Sequence, residues 1–336
     1  MFRKKTNTII LTIFLFFLSM AAPPVLATIH PTTIAQSQTN TFPLVEEAKA
    51  LYRQGNFQQA AAVWQEAANQ FANKGDRLNQ AMALSNLSLA YQQLGLWQEA
   101  TDTINQSVGL LTEKGGDTER RIFAATLNIR GKLQREIGEP EAAVDTWKQA
   151  GDIFDKIGDR SLYQQTQINR ARALEDLGLY PRACQNLIDV LGWEKSQCQV
   201  SETDLESLAN MPNSLLKFDA LLELGNVLRV VSNINISERV LKASLEVAKQ
   251  LELPAEESKA LSSLGNTARA LIEREVLLPS QQQDLTVLIV KTQEALEAYR
   301  QAVDLAATAK MPILGLTAQL NLFGLLLDSQ AWLGDE

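Results

Sequence analysis

Along most of the chain, apolar residues recur at helical spacing and are punctuated by glycine. Gly55, Gly95, Gly138 and Gly178 stand 40, 43 and 40 residues apart. Two residues after each comes Phe57, Trp97, Pro140 or Tyr180, and five after each comes Ala60, Ala100, Ala143 or Ala183. Four residues beyond each alanine is a large apolar side chain (Trp64, Ile104, Trp147 or Leu187), and three further on is a smaller one, Ala67, Ser107, Ala150 or Val190. Gly75-Asp76-Arg77, Gly116-Asp117-Thr118 and Gly158-Asp159-Arg160 mark the same rhythm. Each site has a physical reason. The glycine ends a helix in a left-handed conformation that other residues resist. The alanine lets two antiparallel helices cross closely, and the bulky residues fill the space beside that crossing. The Gly-Asp pair is expected to end the second helix and cap the next. The pattern therefore predicts an all-α chain of helical hairpins that bury their apolar faces only by stacking. Trp64, Trp97 and Trp147 read as packing residues rather than a sugar-binding platform.

The series Leu84, Leu87, Ser88, Tyr91, Gly95, Trp97, Ala100 resembles the tetratricopeptide repeat, in units longer than the usual ~34 residues. The resemblance extends over Leu44–Trp332. It implies a right-handed superhelical solenoid at 44–336, with about six full repeats and a partial seventh. The long unit, the Gly-Asp-Arg junctions, Leu224-Gly225-Asn226 and Leu264-Gly265-Asn266 resemble a narrower group. These are the exported repeat regions of bacterial CHAT-domain proteins, in which helical repeats precede a caspase-like domain. Ala318-Gln319-Leu320-Asn321-Leu322 resembles the last repeat before that domain. Ser237 stands where alanine is usual, and the sixth unit is lengthened around Glu273–Asp284. Residues 1–336 include no caspase-like segment, so the resemblance carries no protease function to this chain.

The N-terminus reads as an export signal. Arg3, Lys4 and Lys5 precede an apolar stretch from Ile9 to Leu18, then Ala21–Pro24 and the small-residue site Val25-Leu26-Ala27. Residues 1–27 are the expected signal peptide, with a second possible cut after Ala35. An uncleaved anchor is the alternative, although the apolar run is short for a bilayer about 30 Å thick. Residues 28–43, rich in Thr, Gln, Ser, Asn and Pro, read as a flexible leader. The destination is periplasmic or extracellular. The run Ile313–Leu327, interrupted by Gln319 and Asn321, reads as a packed helix, so no integral membrane segment is expected after cleavage.

Charge and chemistry narrow the function. The formal net charge is −8, and removing the three positive charges of the signal leaves −11. That disfavours nucleic acid, whose phosphates demand a basic surface. The single histidine, His30, falls in the leader, leaving no base for nucleophilic catalysis and no His/Cys cluster for a metal. Glu46-Glu47 and Glu256-Glu257 are adjacent on helices and diverge, and Gly115-Gly116 lacks the lysine of a phosphate loop. The reading is of a protein without enzymatic activity, cofactor or metal: an exported scaffold that binds a protein or peptide. The alternative is the regulatory arm of a CHAT-type peptidase.

Cys184 and Cys198, an even pair in an exported chain, are expected to form a disulfide, with two free thiols as the alternative. In tetratricopeptide arrays the first helix of each unit lines the concave face, which the resemblance implies here. An i, i+4, i+7 row then faces the groove. It comprises Ser85, Leu89 and Gln92; Asn128, Lys132 and Arg135; Ile168, Arg172 and Glu175; Leu222, Asn226 and Arg229; and Ser262, Asn266 and Arg269. Of these, Asn128, Lys132, Arg135, Arg172, Asn226, Arg229, Asn266 and Arg269 form the expected peptide-binding stripe. Its basic groups suit an acidic peptide, with amides fixing the backbone. The alternative is ordinary solvated charge, some of it paired with Glu136, Glu175 or Asp176.

Overall fold

The computed structural model describes residues 43–193, 198–231 and 233–333, with only the backbone of 330–333. The expected signal peptide and the leader as far as residue 42 lie outside the described residues. Pro43, read as the end of the leader, instead opens the first helix, where its missing N–H costs nothing.

The described residues form fourteen α-helices and no strand. Six antiparallel pairs follow one another: α1 (Pro43–Arg53) with α2 (Phe57–Asn73), α3 (Arg77–Gln93) with α4 (Trp97–Gly109), and α5 (Asp117–Glu136) with α6 (Pro140–Lys156). After these come α7 (Arg160–Asp176) with α8 (Tyr180–Val190), α10 (Leu215–Val230) with α11 (Ile234–Gln250), and α12 (Pro254–Val276) with α13 (Leu285–Thr308). The short α9 (Glu202–Ser207) precedes the fifth pair, and α14 (Pro312–Leu333) is a seventh first helix.

The sequence rhythm maps onto this order. Gly55, Gly95, Gly138 and Gly178 close the first helices at φ of 70–84°. Phe57, Trp97, Pro140 and Tyr180 start the second helices. Ala60, Ala100, Ala143 and Ala183 are fully buried at the crossings, with Trp64, Ile104, Trp147 and Leu187 buried beside them. Trp97 departs from expectation. At the first position of α4 its ring projects from the hairpin turn and is 37% exposed, so it is not core.

The close approach is sharpest where a glycine of the first helix meets a bulky residue of the second. A Cβ on Gly131 would lie 2.8 Å from the Trp147 indole, one on Gly225 2.5 Å from Leu241 Cγ, and one on Gly265 2.5 Å from Tyr299 Cε1. Ser237, in the alanine position, fits because its hydroxyl donates to the Gly225 carbonyl at 2.7 Å. Ser88 and Ser258 likewise donate to Ala100 and Ala302 carbonyls. Small hydroxyls thus sit in the core with their hydrogen bonds made.

The junctions between units are less uniform. Asp76 and Asp159 cap α3 and α7, accepting from Asn79 N and Leu162 N at 3.2 Å. The third Gly-Asp pair does not work this way. α4 has already ended at Gly109, Gly116 itself is the N-cap at φ −67°, and Asp117 lies inside α5 as an acidic first-turn residue. Glu252 and Lys310 occupy left-handed turns after α11 and α13, at φ of 55° and 56°, without glycine.

Between α8 and α10 the rhythm is broken by an inserted segment containing α9 and a 3₁₀ turn, Leu208–Asn210. Three ties hold it. Cys198 is disulfide-bonded to Cys184 on α8, with Cα atoms 5.5 Å apart. Trp193 Nε1 donates to Ser207 Oγ at 3.0 Å. Lys217 Nζ donates to the Leu208 and Met211 carbonyls and to Asn213 Oδ1 at 2.8–3.0 Å. Burial lowers the Lys217 pKa. The lengthening of the sixth unit takes the form of two long helices, α12 and α13, joined through a 3₁₀ turn at Ser280–Gln282.

The hairpins stack in two layers. Each second helix packs on its own first helix, and α2, α4, α6, α8, α11 and α13 also pack on the next one. First helices touch each other in succession, α3 on α5, α5 on α7, α7 on α10, α10 on α12 and α12 on α14. That closer lateral contact makes the first helices the inner layer of a curved array.

Candidate functional site in the first-helix groove

The inner layer offers the surface on which a partner would lie, and its local chemistry follows from which faces of the first helices stay uncovered. Ser85, Gln92, Ile168 and Leu222, expected to line the groove, are buried. First helices press directly on one another, and Ser85 falls in such a seam, whereas Gln92 turns back to Ser88 on its own helix. Ser85 Oγ lies 2.9 Å from both Ser107 Oγ and Thr126 Oγ1, a hydroxyl cluster joining α3, α4 and α5. The partly exposed or exposed members of the row include Lys132, Arg135, Arg172, Asn226, Arg229, Asn266 and Arg269.

Most basic members are bridged to acids, largely on the next first helix. Arg135 grips Asp176 through two hydrogen bonds of 2.5 and 3.1 Å, joining α5 to α7. Arg172 joins α7 to α10, with Nε 2.7 Å from Glu223 Oε1 and Nη2 3.5 Å from Asp219 Oδ1. Arg269 joins α12 to Asp328 of α14 and also pairs with Glu273 at 3.0 Å. Lys132 stays on its own helix, 3.7 Å from Glu136. The positive field expected of the stripe is therefore largely cancelled. The acids concerned, Asp176, Asp219, Glu223 and Asp328, stand at different heights on α7, α10 and α14.

Electrostatics concentrate around Arg172. Burial acts to lower its pKa, but Glu223 and Asp219 outweigh that and raise it above the ordinary arginine value. Glu175, one turn away, is held the other way. Burial and the Glu223 charge push its pKa up to about 8, against the pull of Arg172 and Arg135. Its Oε1 is buried with no hydrogen-bond partner. Asn128 is also occupied: its Oδ1 accepts from Trp147 Nε1 at 2.8 Å and from Asn169 Nδ2 at 3.2 Å.

The groove differs between α10 and α12. Arg229 has no ion pair or hydrogen bond among the described residues, and its Nε is buried. Where α7 presents Asp176 to Arg135, the equivalent place on α12 is Ala270, next to Arg269. Among the described residues Asn226 is half-buried with no side-chain bond, and Asn266 uses only its Oδ1, accepting from Tyr299 OH at 2.8 Å. One guanidinium and two amide groups thus remain as open donors. Among the described residues no cluster of His, Cys, Asp and Glu is arranged to hold a metal ion. No described helix is long and apolar enough to cross a membrane.

Residues 43–113 match the family model of the tetratricopeptide repeat. No curated protein sequence matches the chain. Solved structures similar to it include BtubC (BKLC) from P. vanneervenii, at 13% identity and a TM-score of 0.54 over 80% of this chain and 93% of that one. RapI in its apo form is similar at 13% identity and a TM-score of 0.55, over 84% and 98% of the two chains. A signal-transduction ATPase with a tetratricopeptide-repeat sensor from Pyrococcus horikoshii gives 12% identity and a TM-score of 0.58, over 85% of this chain and 42% of that protein. At such identities the likeness concerns the fold. The chain is an all-α, TPR-like solenoid of paired helices whose residues 43–113 match the tetratricopeptide repeat.

Proposed function

We propose that this protein is an exported scaffold that binds a protein or peptide along its first-helix layer and anchors an acidic group between α10 and α12. The observation that carries the reading is Arg229, a groove cation with no ion pair or hydrogen bond among the described residues, beside the open amides of Asn226 and Asn266. A carboxylate there accepts from charged and neutral donors together, the stronger class of hydrogen bond. Arg135, Arg172 and Arg269, engaged with neighbouring helices, shape the groove rather than the ligand. Export is supported by the basic, apolar and small-residue order of residues 3–27, and the Cys184–Cys198 bridge suits an oxidising compartment. N-terminal sequencing of native protein is expected to begin near Thr28 or just after Ala35; intact Met1 in the cytosol would contradict export.

The test of the groove is capture from a peptide library by wild type and by Arg229→Glu. Wild type is expected to select peptides with an acidic residue, and the variant to bind them at least about tenfold more weakly. Arg135→Glu separates the roles: it is expected to lower stability more than affinity. Equal binding by wild type and Arg229→Glu at low salt would refute the site. A second reading, the regulatory arm of a CHAT-type peptidase, rests on the Leu-Gly-Asn openings at 224–226 and 264–266 and on Ala318–Leu322. A caspase-like His and Cys encoded just beyond Glu336 would favour it.

A further inference from the structure

The first helices repeat one register. Gly131, Ala171, Gly225 and Gly265 hold the same place on α5, α7, α10 and α12, and four residues after them stand Arg135, Glu175, Arg229 and Arg269. Five residues after them stand Glu136, Asp176, Val230 and Ala270. Arg135 reaches across to Asp176, the fifth-place residue of the next helix. By the same step Glu175 is offered Val230 and Arg229 is offered Ala270, neither of which can answer a charge. Glu175 accordingly makes no side-chain hydrogen bond or ion pair among the described residues, and its Oε1, like Arg229 Nε, is buried and unpartnered. The two groups are opposite in sign and stand on successive helices that touch, yet they are not bonded to each other.

We infer that the groove takes an extended peptide segment carrying one basic and one acidic side chain, the basic group at Glu175 and the acidic group at Arg229. The inference rests on the groove reading above and adds to it the basic position and the orientation. Helix axes in contact lie about 8–10 Å apart, and an extended segment rises ~3.1–3.3 Å per residue, so the two charged residues are expected two or three apart. The walls fit such a ligand. Val230, 43% exposed, gives the methylenes of a lysine or arginine an apolar surface to lie on. The small Ala270 leaves space beside Arg229, where the amides of Asn226 and Asn266 add donors. Charge fits as well. Facing Glu175 are Glu223 of α10, Arg135 of α5, and Arg172 and Asp176 of its own helix. Both arginines are already bridged to other acids, which leaves Glu175 to a ligand's cation. Burial and the Glu223 charge hold the Glu175 pKa at about 8, and a cation seated there displaces its proton.

Selection from a random peptide library on the full chain tests it, with wild type, Glu175→Gln and Arg229→Glu as baits. Wild type is expected to enrich a basic residue two or three positions from the acidic one. Glu175→Gln is expected to keep the acidic residue and lose the basic one, and Arg229→Glu to lose the acidic one. Arg229→Gln takes its place should the reversal lose its helical circular dichroism. The peptide chosen by wild type is expected to bind about tenfold more weakly once its basic residue is replaced by alanine, and Glu175→Gln to bind both forms alike. Capture requires Glu175 to ionise, so wild-type affinity for the intact peptide is expected to rise between about pH 6 and 8.5, and that of Glu175→Gln to stay level. Enrichment of an acidic residue alone by wild type, or a basic preference that survives Glu175→Gln, overturns the inference and leaves the acidic anchor standing. An acidic preference that survives Arg229→Glu removes the anchor and the inference with it, as does a wild type that selects no peptide.

Discussion

Glu175 sits between the Arg135–Asp176 and Arg172–Glu223 bridges, and its environment makes a pH dependence measurable. Burial and the Glu223 charge hold its pKa near 8, above the ordinary carboxylate value. The folded chain therefore binds this proton more tightly than the unfolded chain. The contribution is fully present below the unfolded pKa of about 4.3, falls as pH rises, and is lost once pH passes the folded value. Partial exposure and coupling to Glu223 reduce the size to roughly 1–3 kcal/mol. Glu175→Gln cannot ionise, so it is expected to flatten the decline in urea midpoint between pH 5 and 9 and to be more stable than wild type at the upper end. An unchanged slope would show that Glu175 is not the group involved. The glycines facing second helices give a test at the same scale. Gly225→Ala forces a methyl against Leu241 and is expected to cost about 1–3 kcal/mol. Gly55→Ala, whose added Cβ meets nothing, costs only its left-handed strain, about 1–2 kcal/mol. Urea unfolding of the two variants separates packing from backbone conformation.

The helical hairpins were legible in the sequence because two strong constraints coincide. A residue in the left-handed conformation selects glycine, and a close helix crossing selects a small side chain. Where either constraint relaxes, the reading weakens. Glu252 and Lys310 turn the chain without glycine, and Gly116 caps a helix where Asp117 was expected to. α9 carries no repeat signature, and the α12–α13 pair keeps Leu264-Gly265-Asn266 but is lengthened at its turn. The groove was legible only in part. Helical spacing names a face but not which part of it a neighbouring helix covers, so Ile168 and Leu222 were placed in the groove and lie in the seams. Pairing across the groove depends on contacts between residues some 40–60 apart, as in Arg135–Asp176 and Arg269–Asp328, which periodicity does not reveal. At the level of elements, the inserted segment gives the clearest expectation. Reducing Cys184–Cys198 reopens a loop of about 15 residues and is expected to lower stability by about 3 kcal/mol while leaving the helix content intact. Non-reduced mass spectrometry showing two free thiols in native protein would remove the basis for that expectation.

Taken as a whole, the array's inner surface is bridged along one stretch and open along another. From α5 to α10 the side chains of the first-helix layer bind each other, through Arg135–Asp176 and Arg172–Glu223. Between α10 and α12 they leave Arg229, Asn226 and Asn266 open. The outer, second-helix layer presents charges paired along its own helices, such as Lys242–Glu238 and Lys148–Asp152. Surface pairs of that kind contribute little to stability or selectivity. The central claim is that a partner lies along the inner layer and engages the opening between α10 and α12. Site-specific photocrosslinking tests it most directly, with the crosslinker at Asn226 in the groove and, separately, at Lys242 on the outer face. Exposed to the exported protein fraction of the native host, the Asn226 probe is expected to capture a discrete partner that an acidic peptide competes away, and the Lys242 probe to capture none. Capture through Lys242 alone, or capture at Asn226 that no peptide displaces, would contradict a groove-binding scaffold.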